Sequence, residues 1–308
     1  MISVILPTFN RDYILSSTIE CVQNQTFTDY ELIIIDDCSL DKTCEIIQKY
    51  SQTDKRIKYI KNIKNIGCAR SRKIGYENSR GKFLVFLDDD DTWEADKLMK
   101  QYNALMHTNN DVVISDYKIN QHNQLIYKNM KKFSTNFKYE ILMGPGPFFQ
   151  SIMIKKHIID KMELPFDDSS VPSEDWNFFI ELSKLNLKIS YIPKALFTWH
   201  IHKNNQSLDL KKEATALHYI LNKHYNYIKT ICGNVIISNH YRRIARLYEK
   251  INNEENQEYN IKIYYTKAFQ ASPLSFKNIF YLIMIYIGYK RVKNIIQWIR
   301  KVRGIPNV

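Results

Sequence analysis

Short apolar runs alternate with stretches of helical periodicity along the first 115 residues of the chain. The apolar runs end in polar clusters and predict five buried strands, at Ile2–Leu6, Glu31–Ile35, Ile57–Ile60, Phe83–Leu87 and Val112–Ser115. The stretches between them predict helices over Leu15–Gln23, Asp41–Tyr50, Ile66–Asn78 and Asp96–Met106. This alternation is typical of a mostly parallel sheet with helices on both faces, in which ligands bind beyond the carboxyl ends of the strands.

The pattern becomes less regular after residue 115. Gly144–Phe149 is rich in turn residues, and apolar residues recur at helical spacing over Glu174–Leu185. Ile189–Ile192 predicts one more strand, and from Leu210 onward the pattern is helical to the end.

Composition adds limits to this picture. Of the 308 residues, 44% are hydrophobic and 25% are charged, which excludes a wholly disordered or collagen-like chain. The five cysteines form no CxxC pair and favour a reducing compartment. The N-terminus has no basic region before its apolar run and does not predict a signal peptide. No apolar run reaches about 18 residues, so no membrane-spanning helix is predicted.

The net charge of +12 is unevenly distributed. Residues 240–308 contain 13 lysines and arginines against 4 acidic residues, so the basic character belongs to the C-terminal quarter. A nucleic acid and an anionic membrane surface are the two partners that such a segment suggests.

Four consecutive acids, Asp88–Asp91, follow a strand predicted to be buried. Because their charges repel one another, a divalent cation with oxygen ligands is a natural partner. Alternate residues of an extended chain point to the same side, so Asp88 and Asp90 can converge on one ion. The alternative is a solvated acidic turn.

Two other strand ends carry polar side chains. Asp37 could accept hydrogen bonds from a ribose or a base, or could instead serve in helix capping. The turn after the first strand lacks a GxGxxG motif, which disfavours a dinucleotide-dependent dehydrogenase. In that turn Thr8 and Arg11 could contact a nucleotide, and Phe9 could pack on a base or lie in the core.

Three further clusters allow two interpretations each. Arg70, Arg72 and Lys73 suit a phosphate ligand or a solvated basic face. The segment Ser173–Trp176 begins a helix with good capping residues, and its acids could alternatively provide a general base. The two histidines of Trp199–His202 could bind a metal or a phosphate, a weak signal without the acids.

Taken together, these clusters resemble family 2 glycosyltransferases of the GT-A fold. The matching motifs are Ser3–Asn10, Ile35–Thr43, Asn65–Gly67 with Arg72 and Gly75, Gly81–Trp93, Glu174–Trp176 and Trp199–His202. They occur in the family's order and cover about residues 1–207. The resemblance implies an α/β fold, a Rossmann-like sheet with helices on both faces, plus a C-terminal helical extension. It implies a GT-A catalytic domain at 1–207, with a nucleotide-binding half at 1–115 and an acceptor half at 116–207, before the extension at 208–308.

The resemblance also implies roles for individual residues. Asp175 matches the family's catalytic base. Residues expected to bind the nucleotide are Pro7, Thr8, Phe9, Arg11, Asp37, Arg72 and Asp89. Asp88, Asp90 and His202 are expected to hold Mn²⁺ or Mg²⁺. Residues expected near the acceptor or the transferred sugar are Asp91, Trp93, Gly146, Phe148, Glu174, Trp176 and His200. Lys73 and His200 depart from the family pattern, which usually has Asn and Arg there, so phosphate contacts at these positions are in doubt.

The function that the resemblance implies is inverting, metal-dependent transfer of a sugar from a nucleotide-diphosphate sugar, expected to be a UDP-sugar. The expected acceptor is a growing bacterial surface glycan or a lipid-linked molecule. Alternatives are a sugar nucleotidyltransferase and a non-catalytic scaffold that retains the GT-A fold. The absence of a Gly-rich basic phosphate loop after the first strand argues against the former, and the intact Asp88, Asp90 and Asp175 argue against the latter.

The extension has two interpretations of nearly equal weight. Residues 277–303 contain an apolar stripe and a cationic face, as in helices that lie on an anionic membrane. The alternative is a packing or homodimerisation surface. No recognised nucleic-acid-binding motif is present, so nucleic acid is not an expected partner. The expected location is the cytoplasm, either free or peripheral on the inner face of the cytoplasmic membrane.

Overall fold

The computed structural model describes residues 1–201, 209–251 and 258–287. The chain forms two compact units, Met1–Leu208 and Asp209–Val308.

The first unit is an α/β domain built around one nine-stranded sheet. Its strands are β1 (Ile2–Thr8), β2 (Tyr30–Asp36), β3 (Ile57–Lys61), β4 (Phe83–Phe86), β5 (Thr92–Trp93), β6 (Val112–Gln121), β7 (Gln124–Lys128), β8 (Ile152–Lys155) and β9 (Ile189–His200). Its helices are α1 (Leu15–Gln23), α2 (Thr43–Thr53), α3 (Cys68–Glu77), α4 (Lys97–Thr108), α5 (Lys131–Thr135), α6 (Phe137–Met143), α7 (Lys156–Ile159) and α8 (Glu174–Ser183).

The strand order is β3-β2-β1-β4-β8-β6-β9-β5, with β7 paired to β6. The first four strands in this order are parallel, as predicted, and every residue of β1, β2 and β4 is buried. Both faces of such strands are covered, which explains why their sequences are apolar throughout rather than alternating. The remainder of the sheet is mixed, because β8, β7 and β5 run antiparallel to their neighbours.

Strand β9 is three times as long as the predicted strand Ile189–Ile192. Ile192 pairs with Ser115 and Ala195 pairs with Asp116, so Pro193 and Lys194 have no partner in the register of β6. Proline lacks the N–H that a regular strand would use, and a bulge is one of the few places in a sheet that tolerates it. The bulge lets β9 continue past Pro193 to His200, at the edge of the sheet where the acidic turn lies.

The second unit is helical, with α9 (Leu210–Lys223), α10 (Tyr225–Cys232), α11 (Asn234–Ile251), α12 (Glu258–Ala271) and α13 (Phe276–Ile287). Asn278 of α13 is buried, and its side-chain N–H groups donate to Ser238 Oγ at 2.9 Å and to the carbonyl oxygen of Ala268 at 3.0 Å. These bonds join α13 to α11 and α12. Among the helices in the described ranges, none combines the length and apolar character needed to cross a bilayer.

Candidate active site

The loops that follow β1 and β2 are tied to each other by side chains. The Asn10 N–H donates to Ser39 Oγ at 2.9 Å, and the Leu40 N–H donates to Asn10 Oδ1 at 2.9 Å. Asn10 has a φ of 54°, a left-handed conformation that asparagine adopts more readily than most residues. One residue later, the Arg11 N–H donates to Thr43 Oγ1 at 2.9 Å, which fixes the backbone of Arg11 at the sheet edge.

Asp37 holds the next loop in place. One of its carboxylate oxygens accepts from Asn62 Nδ2 at 2.8 Å and from the Ile66 N–H at 2.9 Å, and the other accepts from the Gly67 N–H at 2.7 Å. Gly67 precedes α3 with a φ of 87°, a conformation that favours glycine. The acid at the end of β2 therefore organises the loop that begins α3, and its contact with a base or ribose stays a prediction.

Two arginines approach the acidic turn Asp88–Asp91 from different elements. Arg11 Nε lies 3.1 Å from Asp89 Oδ1, and another nitrogen of the same guanidinium lies 3.4 Å from Asp90 Oδ2. Arg72, on α3, is buried and contacts Asp88 Oδ1 at 2.7 Å and Glu174 Oε1 at 2.6 Å. The turn is therefore fixed by ion pairs with the loop after β1 and with α3.

Gln150 holds the acidic turn from the other side. Its amide nitrogen donates to Asp88 Oδ2 at 3.1 Å and also to Asp91, and its amide oxygen accepts from Trp93 Nε1 at 3.2 Å. The second carboxylate oxygen of Asp91 accepts from the His200 backbone N–H at 2.8 Å. The first and last acids of the turn are thus both connected to the segment before β8, and Asp91 is also connected to the end of β9.

Crowding and burial raise the pKa values of several of these acids. Burial, opposed by Arg11 and reinforced by Asp90, raises the pKa of Asp89 to about 6. Burial together with the charges of Asp88 and Asp90 raises the pKa of Asp91 well above its usual range. Burial also raises the pKa of Asp88, although Arg72 opposes the shift. These crowded carboxyl groups disfavour one another's ionisation, and an added cation would stabilise their ionised form.

Asp175 lies in the first turn of α8, beside Glu174. Burial and the neighbouring Glu174 charge raise the pKa of Asp175 to about 8. One of its oxygens accepts from the Trp176 backbone N–H at 2.6 Å. Glu174 is held by Arg72 and by the Cys68 thiol, which lies 3.1 Å from Glu174 Oε1. The adjacent acids therefore have different surroundings, with Glu174 in an ion pair and Asp175 at a pKa suited to proton transfer near neutral pH.

These side chains surround one cavity of about 440 Å³. It is lined by Pro7, Thr8, Phe9, Arg11, Asp37, Asn65, Gly67, Cys68, Arg72, Asp88, Asp89, Asp90, Asp91, Phe148, Phe149, Gln150, Pro172, Glu174, Asp175 and Trp199. The structure thus brings together the predicted base, all seven predicted nucleotide-site residues and both predicted metal-binding aspartates. Of the predicted acceptor residues, Asp91, Phe148 and Glu174 also line the cavity.

Four residues expected near the acceptor or the transferred sugar do not line this cavity, and the structure gives each of them other contacts. Trp93 and Trp176 are 7% and 1% exposed, and their indole N–H groups donate to Gln150 and to the Ile141 carbonyl oxygen. The ring of His200 contacts Thr92 and Asn120 instead. A Cβ on Gly146 would lie 2.7 Å from an Ile141 methyl carbon, so this glycine permits close packing.

Other basic residues named from the sequence lie outside the cavity lining. Arg70 pairs with Asp168 at 2.6 Å, and Lys73 lies 3.8 Å from Glu77 on the exposed side of α3. Arg70 and Lys73 therefore lie on a solvated basic face rather than at a phosphate site. His202, predicted as a metal ligand, lies outside the described residues.

The donor set around the turn fits a hard divalent cation. Seven acids and two arginines are among the residues that line the cavity, so the site has an excess of carboxylate oxygens. In the part of the chain that the structure describes, no three His, Cys, Asp or Glu side chains are arranged to hold a metal by themselves. With fewer than three protein ligands, a metal ion at this turn would need further ligands from a bound molecule. Mg²⁺ and Mn²⁺ are commonly held in this way, here by Asp88 and Asp90 together with phosphate oxygens of a ligand.

Sequence reasoning missed two residues with central positions. Gln150 belongs to none of the motifs and directly follows the turn-rich segment Gly144–Phe149. Trp199 belonged to a quoted motif but received no role, because the predicted strand ended at Ile192, seven residues before it.

Comparison with known proteins bears on what this arrangement does. Residues 3–161 match the sequence profile described as glycosyl transferase family 2. The chain belongs to this family. A glycosyltransferase of Methanocaldococcus jannaschii is 30% identical over 250 residues, which are 76% of this chain and 83% of that protein. As a family 2 member, the protein is a glycosyltransferase.

Two relatives in the family have more specific names. The poly(ribitol-phosphate) β-N-acetylglucosaminyltransferase TarP of Staphylococcus aureus is 36% identical over 211 residues, which are 66% of this chain and 63% of TarP. The GalNAc(5)-diNAcBac-PP-undecaprenol β-1,3-glucosyltransferase of Campylobacter jejuni is 29% identical over 272 residues, which are 81% of this chain and 85% of that enzyme.

Solved structures give the fold of this glycosyltransferase. Residues 1–349 of S. aureus TarS, in complex with UDP-GlcNAc, superpose with a TM-score of 0.65 at 17% identity, covering 94% of this chain and 91% of that one. The mannosyltransferase PcManGT of Pyrobaculum calidifontis, in complex with GDP-Man and Mn²⁺, gives 0.57 at 14% identity, covering 92% and 84%. The predicted GT-A fold with C-terminal helices is confirmed.

Proposed function

We propose that this glycosyltransferase is inverting and metal-dependent, and that it transfers a sugar from a nucleotide-diphosphate sugar to a hydroxyl group of a glycan acceptor. The observation that carries the proposal is the single cavity in which the acidic turn and Asp175 lie together. Direct displacement needs both parts, because the leaving diphosphate requires positive charge and the attacking hydroxyl must lose a proton.

The proposed donor is a UDP-sugar. Support comes from the TarS structure, which is described as a complex with UDP-GlcNAc. In this chain the nucleotide would lie against Pro7–Phe9, Asp37 and the Asn65–Gly67 loop, at the carboxyl ends of β1 and β2. The diphosphate would extend from there toward the acidic turn.

Residues of the chain divide the work of the reaction. Asp175 accepts the proton of the acceptor hydroxyl while that oxygen forms a bond to the anomeric carbon. The bond from the anomeric carbon to the diphosphate breaks at the same time, and its electron pair leaves with the nucleoside diphosphate. One displacement of this kind inverts the anomeric configuration. Asp88 and Asp90 are the proposed ligands of Mn²⁺ or Mg²⁺, and the chemistry that such an ion supplies is neutralisation of the leaving group.

We propose further that the acceptor is a bacterial surface glycan or its lipid-linked precursor and that the helical unit contacts an anionic membrane. On α13, Phe276, Ile279, Phe280 and Ile283 are 82%, 40%, 40% and 50% exposed and recur at helical spacing, which gives one apolar stripe. The sequence that follows, residues 288–308, has six basic residues and no acidic one. An apolar stripe next to cationic residues suits an anionic lipid surface. A homodimer formed through the same stripe would replace the membrane proposal.

Two matched substitutions test the reaction. Asp90→Asn is expected to abolish Mn²⁺-dependent binding of UDP-sugars in calorimetry. Asp175→Asn is expected to bind the same donor normally and to lose transfer by a factor of about 10² to 10⁴, the usual contribution of a general base. Asp29→Asn is the control, because Asp29 is exposed, does not line the cavity and pairs with the N-terminal amine.

Each alternative has its own outcome. Donor binding that resists EDTA in the unmodified protein excludes the metal, and full transfer by Asp175→Asn excludes the base. Release of pyrophosphate from a nucleoside triphosphate and a sugar phosphate would favour a nucleotidyltransferase. Donor binding without transfer to any acceptor or to water would favour the non-catalytic scaffold.

A further inference from the structure

The wall of the cavity beside Asp175 is aromatic. Phe148 and Trp199 both line the cavity, and their ring centroids lie 5.0 Å apart with planes inclined by 48°. Behind them, Tyr117 meets Phe148 edge-on at 5.3 Å and stacks on Phe197 at 5.1 Å. Asp175 lines the same cavity as Phe148 and Trp199, so the aromatic wall and the proposed base face one space.

The position of Trp199 is fixed by the sheet rather than by a loop. Trp199 pairs with Ile119 of β6, and the next residue, His200, donates its backbone N–H to Asp91 at 2.8 Å. The backbone of the aromatic wall is therefore tied directly to the acidic turn. A half-buried tryptophan and a half-buried phenylalanine held rigidly in a polar cavity offer an apolar surface to a ligand with an apolar face.

The polar groups that line the cavity around this wall suit an uncharged ligand with hydroxyl groups better than an anionic one. Asp91, Glu174 and Asp175 line the same cavity. Among the lining residues within the described part of the chain, the cations are Arg11 and Arg72, and both already contact carboxylates of the turn or of α8. A phosphate placed against the wall would lose hydration, and both lining arginines are already paired with carboxylates, whereas sugar hydroxyl groups can hydrogen-bond to the carboxyl groups.

We propose that Trp199 and Phe148 form a platform that stacks against the ring of an uncharged pyranose at the end of the acceptor. The C–H face of a sugar ring covers the aromatic surface, and its hydroxyl groups remain available to the carboxylates. This inference rests on the proposed function, and it narrows the acceptor to a neutral sugar terminus in preference to a polyol phosphate chain.

The test uses ligand binding, so that it does not depend on turnover. The full-length protein, with UDP and Mg²⁺, is mixed with methyl glucopyranoside, galactopyranoside or N-acetylglucosaminide, and saturation-transfer NMR detects contact with the ring hydrogens. Ribitol 5-phosphate is the anionic linear probe. At least one pyranoside is expected to give a signal, and ribitol 5-phosphate is expected to give none.

Variants assign the signal to the platform. Trp199→Ala is expected to weaken pyranoside binding roughly 10-fold, which corresponds to about 1.4 kcal/mol, and Trp199→Phe to retain most of it. UDP binding should stay within about 2-fold in both, a range of less than 0.5 kcal/mol, which also shows that the variants are folded. Tyr139→Ala is the matched control, since it removes an aromatic ring that is 36% exposed on α6 and does not line the cavity.

Several results would overturn the platform. They are pyranoside binding that Trp199→Ala leaves unchanged, ribitol 5-phosphate binding by the unmodified protein, and no signal from any pyranoside. A Trp199→Ala protein that binds UDP normally but binds UDP-sugars more weakly would assign the ring to the donor sugar instead. If UDP itself does not bind the unmodified protein, the proposed UDP donor fails, and the pyranoside signal still decides the platform.

Discussion

Burial of a single residue, Asp175, raises the pKa of its carboxyl group and makes the stability of the fold depend on pH. Its carboxyl group is enclosed beside Glu174, and its pKa is raised to about 8. A carboxyl group whose pKa is higher in the folded than in the unfolded state favours folding when protonated. That contribution is complete below the unfolded pKa, near 4, and is lost as the pH rises through about 8.

We therefore expect Asp175→Asn to stabilise the ligand-free protein at alkaline pH. Asparagine keeps the acceptor oxygen for the Trp176 N–H but has no charge to bury, so the free energy of unfolding at pH 9 should be higher than in the unmodified protein. At pH 4 the two proteins should differ little. Thermal unfolding measured from pH 4 to pH 9 checks this, with the exposed Asp29→Asn as control. A difference in midpoint temperature that does not change with pH would contradict the raised pKa.

Among the residues of the site, the sequence predicted the acidic residues but not the polar residue that holds them in place. Asp37, Asp88–Asp91 and Asp175 were found because they follow apolar runs or begin a helix, which are local signals. Gln150 contacts residues 59 and 62 positions away in the chain. No local pattern distinguishes such an amide from any other polar residue in a turn.

At the scale of elements, α3 is placed by a close contact with the sheet. A Cβ built on Gly75 lies 2.5 Å from Ile5 Cγ2 and 2.8 Å from Ile35 Cδ1. Glycine therefore lets α3 approach β1 and β2, and this approach brings Arg72 between Asp88 and Glu174. Gly75, in the middle of α3, thus determines where the charge of Arg72, one turn earlier, lies.

Gly75→Ala is expected to destabilise the fold by about 1–3 kcal/mol, because an added methyl group overpacks this interface. Urea unfolding monitored by circular dichroism measures the change, and Glu77→Ala, at an exposed position of the same helix, should change stability by less than about 0.5 kcal/mol. Since α3 carries Arg72, we also expect weaker donor binding. Unchanged stability in Gly75→Ala would mean that α3 is not held at this distance.

The elements that the sequence predicted well are those with uniform apolar runs. Helix α1 was predicted with its observed bounds, and β1–β4 within two residues. The hairpin of β6 and β7 and the short helices α5 and α6 were not predicted. Every residue of β7 up to Tyr127 is exposed, so no hydrophobic pattern reveals this strand, which exists because β6 offers it a partner.

At the scale of the whole molecule, charge and apolar surface concentrate in the C-terminal part of the chain. The stripe Phe276, Ile279, Phe280 and Ile283 lies on the side of α13 away from the buried Asn278. Since Asn278 fixes the rotation of the helix, the exposed stripe is a constant feature of the helical unit.

We expect the full-length protein to bind vesicles that contain phosphatidylglycerol and to bind neutral vesicles much more weakly. Replacing both Phe276 and Ile283 by Asp should reduce anionic-vesicle binding by at least about 10-fold, since it removes apolar contact and adds charge that anionic lipid repels. Leu125→Asp, at a position that is 62% exposed on β7, is the control. Co-sedimentation at two salt concentrations provides the measurement.

Two outcomes would contradict membrane contact. One is a full-length protein that does not co-sediment with anionic vesicles at low salt. The other is a dimer in solution that the Phe276→Asp and Ile283→Asp double substitution converts to a monomer, which would assign the stripe to a subunit interface.

The bulge at Pro193 has a consequence for how enzymes of this architecture diversify. Side chains alternate between the two faces of a strand, so one residue inserted or deleted between Pro193 and Trp199 would exchange which neighbour faces the cavity. The bulge already absorbs two unmatched residues without interrupting the pairing of β9 with β6. A change of length there could replace the aromatic wall by another surface while the acidic turn and the strand order stay intact. If the aromatic wall binds the acceptor as proposed, a change of length in this one strand would alter the acceptor surface and leave the acidic turn in place.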